Sequence, residues 1–161
     1  MCIRDSMYTG NYLRTEGTNG VLNFGKQFTQ RPTRLKGYFK YTSVEINKSN
    51  DEMKYLIGQP DTCQIFIALG DWSEPVEIRT KPSDRKLFDK NDPHIIAYAD
   101  MYSGKSVTEY TPFTLELEYR DTDRIPTYIV VVASASKYGD YFTGGDGSVL
   151  FLDDFTLEYD Y

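Results

Sequence analysis

The sequence predicts an all-β domain built as an antiparallel β-sandwich, and three observations carry that expectation. Apolar residues recur with a period of two, and no apolar stripe of helical spacing lasts longer than a turn or two. Turn-forming clusters separate the apolar runs: Lys48-Ser49-Asn50-Asp51, Gly58-Gln59-Pro60-Asp61, Lys90-Asn91-Asp92-Pro93, Arg120-Asp121-Thr122-Asp123 and Gly144-Gly145-Asp146-Gly147. Neither internal repeats nor low-complexity tracts interrupt the pattern, so about eight strands in two packed sheets are the economical arrangement.

Taken in order, Val21, Leu22 and Phe24 read as a short strand. Leu35 to Thr42 alternates, with Leu35, Phe39 and Tyr41 on one side and Lys36, Tyr38, Lys40 and Thr42 on the other. Cys63, Ile65, Ile67 and Leu69 form the next alternating set. From Asp71 to Tyr110 the pattern is least regular, with Pro75, Pro82 and Pro93 and short candidate strands at Val76 to Thr80 and Ile95 to Tyr98; long loops at one end of the sandwich are expected there. Phe113, Leu115, Leu117 and Tyr119 against Thr114, Glu116 and Glu118 mark a half-buried strand. Ile129 to Ala133 is apolar throughout, which suits a strand covered on both faces by a loop or a further segment.

The segment from Pro126 to Asp160 joins that strand, a glycine-rich loop and a last strand bearing Asp153-Asp154. Counting alternately from Val149 turns Asp153 toward the core, where an unpaired carboxylate costs several kcal/mol. Two answers are open and compatible. A β-bulge at the aspartates would put Leu150 and Leu152 inward before it and Phe155 and Leu157 inward after it. A structural calcium ion held by Asp153 and backbone carbonyls is the other.

A chain of 161 residues supports one core, burying roughly 70% of the surface that its unfolded form exposes. The net charge of −6, without a run of Lys or Arg, argues against nucleic acid and against anionic membrane surfaces. No stretch approaches the roughly 20 apolar residues of a transmembrane helix. Residues 1–6, MCIRDS, resemble the translation of a transposase adapter used in sequencing libraries, which would make Cys2 an artefact and residues 7–161 the domain. Cys63, within an apolar run, reads as a buried free thiol.

Several motifs fail on their context. Gly20 to Gln27 nearly spells a phosphate-binding loop, but Gln27 replaces the metal-binding hydroxyl and Arg31-Pro32 follows where a helix should continue. Ser134-Ala135-Ser136-Lys137 matches a serine–lysine pattern, yet it ends a strand, where residues three apart face opposite ways. His94 is the single histidine, which excludes a multi-histidine metal site. Carboxylate pairs of the glycosidase kind leave no sequence signature. Asn47-Lys48-Ser49 fits a glycosylation acceptor.

The aromatics, 15% of the chain, supply the binding candidates: Trp72, Tyr98, Tyr102, Tyr138, Tyr141 and Phe142. A ring on a rim can stack on a sugar, and covering about 80 Å² contributes about 2 kcal/mol. Asp140, Asp71 and Lys137 could hydrogen-bond sugar hydroxyls. The predicted ligand-binding set is Trp72, Tyr98, Lys137, Tyr138, Asp140 and Tyr141, with Asp153 as the metal ligand.

Arg31-Pro32-Thr33 with Leu35 to Tyr41, then Asp61-Thr62-Cys63, Ala133 to Asp140, Gly144 to Ser148 and Asp153-Asp154 together resemble the "putative carbohydrate metabolism domain" of bacterial envelope proteins. The resemblance covers nearly everything after Met7. It implies a jelly roll of the galactose-binding-like kind lacking its first strands, an N-terminal companion domain and an extracytoplasmic setting, at the cell surface or anchored to the outer membrane by lipid. It implies a glycan partner and no assigned catalytic residues. The leading expectation is a non-catalytic carbohydrate-binding module, more a binder than an enzyme. A glycoside hydrolase or lyase on the same scaffold and an adhesive surface module are the alternatives.

Overall fold

The computed structural model describes residues 6–160. Met1 to Asp5, which carry most of the adapter reading and Cys2, lie outside the described residues. Among the described residues twelve strands form: β1 (Ser6–Tyr8), β2 (Gly10–Glu16), β3 (Asn19–Phe24), β4 (Lys26–Gln27), β5 (Arg34–Thr42), β6 (Cys63–Gly70), β7 (Val76–Arg79), β8 (Ile95–Ser103), β9 (Val107–Glu116), β10 (Glu118–Tyr119), β11 (Tyr128–Ser134) and β12 (Val149–Glu158). Described pairings are antiparallel. Among these residues no helix is long and apolar enough to cross a membrane.

The expected pair of sheets is corrected to three. A central sheet runs β1-β11-β6-β8-β10, with β4 also pairing β11; β12-β5-β9 and β2-β3-β7 form separate sheets. The first core lies between the central sheet and β12-β5-β9, and gathers Leu35, Phe39, Tyr41, Cys63, Ile65, Ile67, Leu69, Phe113 and Leu115. The second lies on the opposite face, where Phe66, Ala68, Val130 and Val132 meet Phe24 and Ile78 of the third sheet. A strand covered on both faces needs an apolar residue at each position, which is why Ile129 to Ala133 reads as it does. Its second cover is the chain's own β2-β3-β7 sheet.

The segment from Phe113 to Tyr119 is two strands in two sheets rather than one. The break falls at Leu117, whose N–H donates to the Thr33 carbonyl at 2.9 Å. Arg31 locks the crossing: its guanidinium lies 4.5 Å from the Tyr119 ring centroid and donates to the carbonyls of Arg124 and Asp121, while the Tyr119 hydroxyl donates to the Pro32 carbonyl at 2.7 Å. The expected long loops after Ile95 are also corrected, because β8 extends to Ser103 and β9 begins at Val107.

The aspartate pair forms the bulge. The β12–β5 register shifts between Asp153 and Thr156, Asp154 takes φ 50°, and Asp153 Oδ1 accepts the Asp154 N–H at 2.9 Å. Leu150 and Leu152 before it, and Phe155 and Leu157 after it, pack against the first core, leaving Asp153 exposed.

Candidate functional site

The third sheet covers only part of the outer face of the central sheet. The remainder is the floor of a groove with a cavity volume of about 1060 Å³, walled by β2, β3 and Thr80 on one side and by residues 87–90 and 136–142 on the other. Clefts of this scale hold small ligands with a mainly apolar lining and a few placed polar groups. Phe66, Phe88, Leu22 and Val132 supply apolar surface, while Gln64, Tyr98, Tyr102, Ser134, Lys137 and Asp140 supply polar atoms.

Strand alternation turns Tyr98, Asp100 and Tyr102 of β8 to the groove face. Asp100 Oδ2 accepts both phenolic hydroxyls, from Tyr98 at 3.0 Å and Tyr102 at 3.1 Å. Gln64, paired with Tyr102 across β6 and β8, brings its Nε2 to 3.4 Å from that hydroxyl. Burial, reinforced by the Asp100 carboxylate, pushes the Tyr102 phenol up to about 12 and raises Tyr98 as well. Both stay neutral through the physiological range. They offer rings and hydroxyl lone pairs to a ligand and are unsuited to act as tyrosinate bases.

The opposite wall is the loop after β11. A buried carboxylate holds it: Asp61, 1% exposed, accepts from Ser136 Oγ at 2.6 Å and the Gly145 N–H at 2.8 Å through Oδ2, and from the Thr62 N–H at 2.8 Å through Oδ1. Lys137 N–H donates to the Thr62 carbonyl at 2.8 Å, and the Tyr41 hydroxyl to the Ala135 carbonyl at 2.7 Å. A single 3₁₀ turn over Gly139–Tyr141 then ends at Phe142 in a left-handed conformation, φ 51°. The loop thereby aims Lys137 at two rings, 4.6 Å from the Tyr102 centroid and 5.1 Å from that of Tyr138. Tyr141 lies under the Arg85 guanidinium at 4.4 Å. Arg85 Nη1 donates to both oxygens of Glu52, and its buried Nε and Nη2 meet no acceptor among the described residues.

Of the expected ligand-binding residues, Tyr98, Lys137, Asp140 and Tyr141 line one groove, and Tyr138 touches it through Lys137. Trp72 does not, which corrects the expectation of a rim tryptophan. Its ring is 7% exposed, packs in the second core against Gly70, where any Cβ would collide with it, and donates from Nε1 to Asp92 Oδ2 at 3.1 Å. It borders a separate hollow of about 630 Å³ with Asp71 and His94. Asp71 is engaged there by His94 Nδ1 at 2.9 Å and Arg124 Nη1 at 3.1 Å. Asp153 stands on the far sheet, and among the described residues no three His, Cys, Asp or Glu side chains gather as a metal site.

Asp100, Gln64 and the lysines Lys48 and Lys90 belong to the groove region without having been anticipated. The period-two spacing of Tyr98, Asp100 and Tyr102 was the available signal for Asp100, since it implies a strand with one polar face. Nothing in the sequence tells that face from a solvated one.

Comparison with solved structures places the architecture. A crystal structure described as a "putative glycoside hydrolase" from Bacteroides thetaiotaomicron VPI-5482 superposes with a TM-score of 0.67 at 22% identity, over 89% of this chain and 47% of that one. Another so described, from Bacteroides vulgatus ATCC 8482, gives 0.65 at 21% identity over 87% and 63%. The chain thus spans between about half and just under two thirds of those proteins. No curated protein matches it.

The expectation of a binder rather than an enzyme is corrected by these two structures, since both proteins sharing the fold are described as a "putative glycoside hydrolase". Its basis was the lack of nucleophile motifs, and carboxylate-pair hydrolysis needs none. The domain is a carbohydrate-associated, all-β module that shares its fold with those two proteins. Matched over residues 3–158, the chain belongs to the family described as "Putative carbohydrate metabolism domain".

Proposed function

We propose that this domain processes glycans as part of a glycoside hydrolase, holding a sugar chain in the groove over the central sheet. One observation carries the reading: the groove lining gathers the rings of Tyr98, Tyr102 and Tyr141 with Asp140, and Lys137 stands 4.6 Å from the Tyr102 ring centroid. Rings would stack on sugar faces, and the polar groups would orient hydroxyls. Asp140 is the candidate acid–base carboxylate. Asp100, on the same face under two phenols, is the candidate second member of the pair that glycoside hydrolysis requires. The sandwich of β12-β5-β9 on the central sheet would be the jelly-roll-like part of the scaffold. A setting outside the cytoplasm, which the resemblance to envelope proteins implies, would bring the site to such polymers.

The test is release of reducing ends from a polysaccharide panel by the purified protein, with Asp140→Asn and Asp100→Asn alongside. Turnover is expected to fall about 100-fold or more in each variant while glycan affinity persists. Wild-type turnover by Asp140→Asn would remove its role. Absence of both turnover and binding across the panel would remove the reading itself.

A further inference from the structure

We propose that the glycan taken by this groove is anionic, carrying uronate or sulfate groups; this rests on the groove being the glycan site. The chain holds 24 acidic against 18 basic residues, so an average patch of its surface is negative. The groove reverses that balance. Lys48, Lys90 and Lys137 border it, with Asp140 the one carboxylate residue among the described residues of the same lining. Asp100 lies beneath, capped by two phenols that donate to it.

Several cations elsewhere on the molecule are paired with carboxylates. Arg14 meets Glu16, Arg34 meets Asp160, Arg79 meets Glu77 and Asp84, Arg85 meets Glu52, and Arg124 meets Asp71 and Asp121. Among the described residues none of the three groove lysines has a carboxylate within ion-pair distance. Lys137 is held instead over the faces of Tyr102 and Tyr138, which steady an ammonium without cancelling its charge. At the far end the Arg120 guanidinium lies 5.6 Å from the Tyr98 ring centroid and donates to the Lys90 carbonyl at 2.7 Å. An excess of positive charge along a low-dielectric cleft concentrates anions there and repels cations. A neutral polysaccharide would gain nothing from it. A polymer with an acidic group on each or alternate sugars would meet Lys137 beside the stacking rings and the other lysines at the rim.

The experiment compares uronate-bearing polysaccharides with their carboxyl-reduced counterparts, identical but for charge, together with neutral glucans and a sulfated galactan. Affinity is read by calorimetry at two salt concentrations. At least one anionic member is expected to bind tenfold or more tightly than its neutral match, with the difference shrinking as salt rises; the uronate and sulfate arms distinguish the source of charge. Lys137→Gln should reduce the anionic-over-neutral preference about fivefold, the scale of one exposed charge contact. Equal or tighter binding of neutral glycans would overturn the inference and leave the groove as a glycan site. Failure of every glycan to bind would overturn both.

Discussion

Asp61 Oδ2 accepts the hydroxyl hydrogen of Ser136 at 2.6 Å, joining residues 75 apart in sequence in a fully buried contact. The same oxygen takes the Gly145 N–H, so one carboxylate fastens both ends of the loop carrying Lys137, Asp140 and Tyr141. The Asp61-Thr62-Cys63, Ser136-Lys137 and Gly144-Gly145 motifs therefore converge in space. They serve as the brace behind a wall of the groove.

Asp61→Ala should accordingly destabilise the domain by about 2–4 kcal/mol, since it strands buried donors at Ser136 and Gly145. Asp61→Asn, which keeps one acceptor oxygen, should cost about 1–2 kcal/mol. Urea denaturation measures both, and an Ala variant as stable as the wild type would show that the brace is dispensable.

The bulge in β12 makes a prediction of opposite sign. Asp154 holds φ 50°, a left-handed conformation that favours glycine. Asp154→Gly should raise stability by up to about 0.5–1 kcal/mol by relieving that backbone cost, partly offset by greater freedom of the unfolded chain. The thermal midpoint of the variant against the wild type checks it.

Acid should weaken the turn before β11 within a defined window. The Arg124 and Asp123 N–H groups, with the Arg124 side chain, depress the Asp121 carboxyl from 3.8 to about 2. A depressed carboxyl contributes stability above its unfolded value, and that contribution is lost as pH falls through the folded one. Asp121→Asn should therefore be less stable than the wild type at pH 5, with the difference closing between pH 3.8 and about 2. Melting temperatures across that range read it directly.

Cys63 is 0% exposed, and burial pushes its thiol up to about 11. Both effects suppress thiolate chemistry. Iodoacetamide at pH 8 should leave Cys63 unmodified in the native protein and alkylate it in denaturant, as mass spectrometry of the Cys63 peptide would report. Rapid native labelling would mean that β6 opens locally.

The strands facing the first core were legible because period-two patterning speaks directly to a half-buried strand: Leu35, Phe39 and Tyr41 point where their spacing says. Two strands of the third sheet were legible, at Val21 to Phe24 and Val76 to Thr80, but their assembly as a further layer was not. Continuous apolarity at Ile129 to Ala133 announces two covers without naming the second, and β2 carries mostly exposed residues that give no inward pattern. The groove was legible only as chemistry. Tyr98, Lys137, Asp140 and Tyr141 stood out as aromatic and polar groups, but Tyr98 sits mid-strand, and Trp72 packs in the second core; a tryptophan in a loop reads the same whether it covers a core or a rim. Asp61 showed no distinguishing pattern, since a buried hub is defined by contacts more than 70 residues away.

Residue parity on the central sheet has a last consequence. In β6, β8 and β11 alike, odd positions such as Ile65, Ile67, Ala99, Met101, Val131 and Ala133 serve the sandwich, while even positions such as Gln64, Phe66, Tyr98, Tyr102, Val132 and Ser134 face the groove. Adjacent codons thus answer to separate demands. A lineage, or an engineer, can rewrite even positions outside the second core, such as Gln64, Tyr102 and Ser134, to retune the groove while the odd register keeps the first core intact.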